Sequence, residues 1–353
     1  MSKREELEPI LCATGQHREL LDEAFAAFDL KPQIDFNIMN KGQTLNEVMK
    51  SVIEFSDKAF SEIKPDAVIV QGDTTTAMSV AISSFYRKIP VGHLEAGLRT
   101  GNLQSPYPEE ANRKIITQIA TWNFTPTTQS SQNLLNEGVA PEKVHMVGNS
   151  VIDALLLRSH LSQADPSIST ILGNQLSFLP AERKFILVTC HRRENFGEPI
   201  REILRTLSSL AKEHEEFQFV YPAHPNPQVQ NAISETIEQE IKNLHVIDPL
   251  NYSQMVYLLE HCYLVLTDSG GIQEEAPTFH KPILILRETT ERPEVLENGM
   301  AKLVGASKEK IEKEVKACIS DPNYYESFFS DSNPFGNGST SNQVADILVR
   351  ELS

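Results

Sequence analysis

The chain has 353 residues, 40% of them hydrophobic and 23% charged, with a formal net charge of −16. That length exceeds what one hydrophobic core usually holds, so two domains are expected. The acidic balance argues against a nucleic-acid partner, and no apolar run reaches membrane-spanning length. The charged start, Met1 to Pro9, reads as no signal peptide. Cys12, Cys190, Cys262 and Cys318 lack paired spacing, which points to free thiols in a reducing cytoplasm. With no CxxC or HExxH, no metal site is expected.

In chain order, Pro9 to Thr14 reads as a short strand, followed by a helical pattern through Phe28 and a second strand over Asp35 to Met39. A helix over Thr44 to Ile63 repeats apolar residues at Leu45, Val48, Met49, Val52, Ile53 and Phe60. Asp66 to Gln71 is a continuous apolar run, as a parallel strand covered on both faces requires. Strands at Pro90 to Glu95, Phe124 to Pro126 and Val144 to Gly148 then alternate with helices from Gly72 and Glu109. Ser159 to Pro180 is polar and carries prolines at 166 and 180, so it is read as the interdomain linker.

Beyond it the alternation restarts. Strands are expected at Phe185 to Thr189, Gln218 to Tyr221, Leu244 to Ile247, Tyr263 to Leu266, Pro282 to Leu286 and Ala301 to Val304. Helices are expected over Pro199 to His214, Pro227 to Ile241 and from Tyr252. The fold class is therefore α/β, with two Rossmann-like domains facing a cleft and ligands at the carboxyl ends of the strands. The N-terminal domain is expected over 1–160, the C-terminal domain over 161–340, and an amphipathic helix from Ser341 to Leu352 returns to the first domain.

Polar residues gather just past the strand ends. Thr267-Asp268-Ser269-Gly270-Gly271 joins a buried strand to a helix, a junction whose free N–H groups suit a phosphate or diphosphate. The glycines let the backbone approach the anion, and Glu275, one turn on, can accept from sugar hydroxyls; an ordinary turn with a solvated Glu pair is the plain alternative. Asp73 opens a helix, where an N-cap would serve as well. Glu95 sits at a strand tip, where pairing with Arg99 is equally reasonable. Glu109 and Glu110 begin a helix, which the helix dipole alone would favour. Three carboxylate groups converging on one site suit general acid/base work. His191 follows a buried strand with Arg192 and Arg193, a set able to neutralise a leaving phosphate. His224 is another strand-end histidine, and Arg292 could reach the same anion.

Taken together, Gly72-Asp73-Thr74-Thr75-Thr76, the run His93 to Thr100, Pro108 to Arg113, His191 to Asn195, Thr267 to Pro277 and Thr289 to Glu294 resemble the non-hydrolysing UDP-N-acetylglucosamine 2-epimerases. The match runs in order from about Cys12 to Phe335. The resemblance implies a GT-B type fold and interconversion of UDP-GlcNAc and UDP-ManNAc. The implied route is anti-elimination of UDP to a 2-acetamidoglucal and re-addition, with neither metal nor nicotinamide as cofactor. It implies Asp73, Glu95, Glu109 and His191 as catalytic residues. Arg113, Arg192, His224, Ser269, Gly270, Gly271, Glu275 and Arg292 are the implied substrate contacts. Gln16, His17 and Gln43 fall where bacterial members bind a second UDP-GlcNAc, although Gly42 stands where some carry an arginine. A cytoplasmic homodimer is also implied.

The alternatives are a hydrolysing epimerase or glycosyltransferase on the same fold, and a non-catalytic UDP-sugar binder. The family normally begins with an apolar strand, a Gly-Thr-Arg-Pro-Glu loop and a helix, to which Met1 to Pro9 bears no likeness. An N-terminal domain lacking its first strand and helix is therefore expected, with lowered stability and activity.

Overall fold

In the computed structural model, residues 4–15, 18–38, 42–164, 179, 184–238 and 240–353 are described. The chain divides into two units, Met1–Ala154 with Phe335–Ser353, and Leu155–Pro334.

Unit 1 contains β1 (Cys12–Ala13), α1 (Arg18–Ala27), β2 (Ile34–Asp35), α2 (Leu45–Ile63), β3 (Val68–Gln71), α3 (Thr75–Tyr86), β4 (Val91–Leu94), α4 (Glu109–Ile119), β5 (Trp122–Thr125), α5 (Thr128–Asn136) and β6 (Val144–Met146). All of its strands pair in parallel. β3, β4, β5 and β6 lie side by side in chain order, while β1 and β2 form a separate pair. The first two strands are shorter than expected: beyond β2 the chain leaves extended backbone at Asn37, with φ +43°, and Met39 lies outside the described residues.

Helix α2 shows how local sequence sets an element. Thr44 and Glu47 cap its start reciprocally, Val48, Val52, Ser56 and Ala59 repeat every three or four residues on the buried face, and left-handed Lys64 ends it. The four-stranded sheet is covered on both sides, which is why its strands read as continuous apolar runs. Val70 and Val91 pack with Ala77, Met78, Ala81 and Ile116. Trp122, Phe124 and Val147 pack with Val344 and Leu348 of the last helix, Thr340–Leu352. That helix begins on Asp153, whose carboxylate accepts from the Thr340 and Ser341 N–H groups at 3.2 and 2.7 Å.

The start of the chain is bound to this same body. Arg4 pairs with Asp346 of the last helix, and Leu7 packs against the Trp122 and Phe124 cluster.

Helix α6 (Ser150–Ala164) carries the chain from one unit into the next. The segment read as a linker is thus helical as far as Ala164, with Ser159 and Gln163 donating to Glu260 at 3.0 and 2.7 Å. Residues 165–178 and 180 lie outside the described residues.

Unit 2 contains β7 (Phe185–Thr189), α7 (Glu198–Glu213), β8 (Gln218–Pro222), α8 (Pro227–Thr236), β9 (Leu244–Ile247), α9 (Tyr252–His261), β10 (Leu264–Thr267), α10 (Gly270–Glu275), β11 (Ile283–Ile285), α11 (Pro293–Glu297), β12 (Ala301–Leu303), α12 (Lys308–Ser320) and α13 (Pro322–Glu326). Its six strands are all parallel, in the order β12-β11-β10-β7-β8-β9. Buried Ile200, Ile203, Leu204, Leu207 and Leu210 of α7 form the apolar stripe that packs on this sheet. Each such side chain contributes ~1.5–3 kcal/mol on burial. α8 stops at Thr236 rather than at Ile241: Ile237 turns to extended backbone, and Ile237 and Ile241 both reach the core.

Candidate active site

The strand order of unit 2 reverses between β7 and β10, where a doubly wound sheet leaves a crevice beyond its carboxyl ends. Thr189 and Thr267 pair at these two ends, and their hydroxyls share a 2.6 Å hydrogen bond. Beyond them the chain presents Cys190 and His191 from β7, and Asp268 and Ser269 from β10.

Asp268 is fully buried and ties the two loops together. Its Oδ2 accepts from the backbone N–H groups of His191 and Arg192, both at 2.8 Å, and from Asn195 Nδ2 at 3.0 Å. Asn195 also donates to the Leu286 carbonyl at the end of the neighbouring strand. The His191 ring stacks on that of His224, with centroids 5.2 Å apart and planes 14° from parallel. Burial holds the His191 imidazole below its ordinary pKa, Asp268 pulls it back up, and His224 and Arg192 add to the lowering. The Arg192 side chain is exposed, with no ion pair among the described residues.

The Ser269-Gly270-Gly271 turn starts α10 with no side-chain cap, so the Ser269 hydroxyl is not spent on the helix. The Ser269 N–H donates to Thr267 Oγ1 at 2.9 Å. A Cβ at Gly271 would meet nothing within 4 Å, whereas one at Gly270 would lie 3.7 Å from Arg292 Nη2. Arg292 therefore stands over the turn, held by an ion pair to buried Glu274. Of the adjacent carboxylates, Glu274 is thus committed to Arg292, while Glu275 accepts from the Tyr252 hydroxyl at 3.2 Å. The two acids seen together in the sequence do different work.

Burial raises the Glu275 pKa to about 7, with the Tyr252 hydrogen bond lowering it and Glu274 raising it. An unfolded chain would release that proton near the model-peptide value of 4.5. Between these values the unfolded state binds fewer protons than the folded one, so stability falls as pH rises. Glu275→Gln is expected to remove this slope and to stabilise the chain by up to about 3 kcal/mol above pH 7. Urea denaturation at pH 5 and pH 8 measures it, and an unchanged slope in the variant would contradict it.

In unit 1, Asp73 lies just past β3 and Glu95 just past β4, adjacent strands paired Gln71 to Leu94. Glu95 holds left-handed backbone at φ +64°, and its Oε2 lies 3.7 Å from where a Gly72 Cβ would stand. Its carboxylate therefore lies beside the Gly72–Asp73 peptide. Asp73 pairs with Arg113 Nη1 at 2.6 Å, and Asn112 Nδ2 donates to the Asp73 carbonyl at 2.7 Å. Glu109 opens α4, and its carboxylate has no ion pair or hydrogen bond among the described residues. Glu110 is fully buried and structural: it accepts from Thr100 N and Gly101 N, both at 3.1 Å, and pairs with Arg113 at 3.0 Å. Arg99 does not pair with Glu95 but with Glu137, at 2.8 Å. His93 is buried and its pKa is pushed down to about 4 by desolvation; its Nε2 lies 2.8 Å from the Gly72 carbonyl. A neutral His93 thus fixes the turn that carries Asp73.

Gln16 and His17 lie outside the described residues. Gln43 donates to the Ile38 carbonyl at 3.2 Å. Sequence reasoning missed Asp268, Glu110, His93 and Tyr252 as site-building groups. For Asp268 a signal existed, since an acid inside a strand-to-turn junction must be buried and needs donors. Among the described residues, no cluster of His, Cys, Asp or Glu could hold a metal ion.

Two parallel-sheet α/β units, one with an uncapped Ser-Gly-Gly turn at its topological switch point and the other with acids at its strand ends, fit the doubly wound class of enzymes, whose ligands lie at such points. The chain belongs to the UDP-N-acetylglucosamine 2-epimerase family, whose profile matches residues 1–349. It is 44% identical over 342 residues to the UDP-N-acetylglucosamine 2-epimerase of Escherichia coli K12, covering 97% of this chain and 90% of the relative. The crystal structure of UDP-GlcNAc 2-epimerase from Neisseria meningitidis, bound to UDP-GlcNAc, is 42% identical. It superposes with a TM-score of 0.89 over 99% of this chain and 94% of that one. The S. aureus MnaA–UDP co-structure is 37% identical, with a TM-score of 0.84 over 99% and 91% of the two chains.

One expectation finds no support in these matches. An N-terminal domain lacking its first strand and helix is not borne out; the family match takes in residues 1–349. The charged stretch that suggested an unrelated tail is held to the domain by Arg4 on Asp346 and by Leu7 in the Trp122 cluster.

Proposed function

We propose that the chain interconverts UDP-GlcNAc and UDP-ManNAc by anti-elimination and re-addition of UDP. The observation that carries this is the switch point of unit 2, where His191 follows β7, the uncapped Ser269-Gly270-Gly271 turn follows β10 beside Arg292, and Glu275 lies at the other end of α10. The turn and Arg292 take the diphosphate, Glu275 takes the ribose hydroxyls, and Arg192 and His224 complete the substrate contacts.

The chemistry has two requirements. A base removes the C2 proton, its electrons form the C1–C2 double bond, and the C1–O bond breaks with its electron pair on the β-phosphate oxygen of UDP. UDP then adds back to C1 while an acid returns a proton to the opposite face of C2. Transfer on both faces needs more than one acid/base group, and unit 1 supplies Asp73, Glu95 and Glu109, with Arg113 orienting Asp73. Departure of UDP needs charge neutralisation, which unit 2 supplies through His191 and the arginines. Relatives solved with UDP-GlcNAc and with UDP support this reading. A cytoplasmic homodimer is part of the proposal; among the described residues no helix is long and apolar enough to cross a membrane.

Proton NMR of the products from UDP-GlcNAc tests the reading. A mixture of UDP-GlcNAc and UDP-ManNAc, with UDP still attached, is expected. Free ManNAc and UDP would mean a hydrolysing epimerase, and binding without turnover a UDP-sugar binder.

A further inference from the structure

Asp268 is more than a loop tie. Three donors crowd onto its Oδ2, while its buried Oδ1 has no hydrogen-bond partner and lies 3.8 Å from His191 Nδ1. A buried oxygen left in this state is unfavourable. The separation is too long for a hydrogen bond but lies within ion-pair range, and contacts of this kind tighten when substrate is bound. Because the carboxylate holds the His191 and Arg192 N–H groups, acid and imidazole are fixed to the same piece of backbone. The His224 ring stacks on one face of the His191 ring.

We propose that Asp268 is a positioning residue for His191, holding Nδ1 toward its own Oδ1 and leaving Nε2 as the donor to the departing β-phosphate oxygen. The inference rests on the assignment of His191 to the leaving nucleotide made above. A carboxylate at this position fixes the proton of the neutral ring on Nδ1 and favours a second proton on Nε2. The charged and titratable groups facing the ring are Asp268, which favours the imidazolium, and His224 and Arg192, which oppose it; the Cys190 thiol faces Asp268 itself.

Asparagine at 268 places an amide donor where Oδ1 stood. Nδ1 must then accept, so the neutral ring carries its proton on Nε2, and the imidazolium is lost at lower pH. The test is nitrogen-15 NMR of histidine-labelled protein, beside kcat and KM across pH. In the wild type the neutral His191 ring is expected to be protonated at Nδ1. In Asp268→Asn it should be protonated at Nε2, with a lower titration midpoint. The alkaline limb of kcat should move to lower pH, and kcat at neutral pH should fall about 10²-fold with little change in KM.

A wild-type ring protonated at Nε2 would overturn the proposal, and this result needs no variant to fold. So would Asp268→Asn with an unmoved titration and kcat lowered equally at every pH, the mark of a merely structural carboxylate. His191→Ala separates the two assignments. Full kcat in that variant would remove His191 from the chemistry, while the wild-type tautomer would still report on Asp268.

Discussion

Asp73→Asn and Glu95→Gln should each lower kcat for epimerisation by about 10²–10⁴-fold, the range that a positioned acid or base supplies. Each substitution keeps the size of the side chain and removes its ability to take a proton. Both residues sit on unit 1, at the ends of adjacent strands, whereas the proposed nucleotide contacts lie on unit 2. UDP binding by calorimetry should therefore be unchanged in both variants. Glu275→Ala should do the reverse and weaken UDP about tenfold or more, the worth of hydrogen bonds to a charged group. Comparable UDP losses in all three variants would deny the division of labour between the units.

The second large effect concerns stability. Arg113 is nearly buried between Asp73 and Glu110, and Glu110 is fully buried. Arg113→Leu would leave the Glu110 charge with only the Thr100 and Gly101 N–H groups, and removing one partner from a buried pair costs about 3–5 kcal/mol. The loss should appear as a lower urea midpoint with Leu at position 113. In the double variant Arg113→Leu, Glu110→Gln the second change should cost far less than it does alone, because the two residues form one network. Additive losses would show that the pair is not coupled. Asp73 would lose its orienting guanidinium in the same variants, so kcat should fall along with stability.

Much of the fold was legible because parallel strands covered on both faces must be apolar throughout. Val68 to Gln71, Phe185 to Thr189 and Leu264 to Thr267 announce themselves in this way. Less legible were places where backbone geometry rather than hydrophobicity decides. Asn37 turns left-handed and ends β2 early. Ser159 to Ala164 looks polar enough for a linker, yet stays helical because Ser159 and Gln163 find Glu260, 101 and 97 residues away in the chain. The same holds at the site. Ser269-Gly270-Gly271 was readable because glycine and strand-to-helix order are local signals. The partition of Glu274 to Arg292 and Glu275 to Tyr252 depends on side chains from distant elements, which no spacing rule conveys. The charged N-terminal stretch is another such case: Arg4 finds its partner at Asp346, 342 residues away in the chain.

The central claim is that the bond between C1 and the β-phosphate oxygen breaks and re-forms while UDP stays bound. Positional isotope exchange tests it most directly. UDP-GlcNAc carrying oxygen-18 in that bridge is incubated with the wild-type protein, and the recovered nucleotide sugar is read by phosphorus-31 NMR. The label should spread from the bridge to the non-bridging oxygens of the β-phosphate as epimerisation proceeds. Epimerisation with the label still wholly in the bridge would mean that UDP never departs, and would contradict the account.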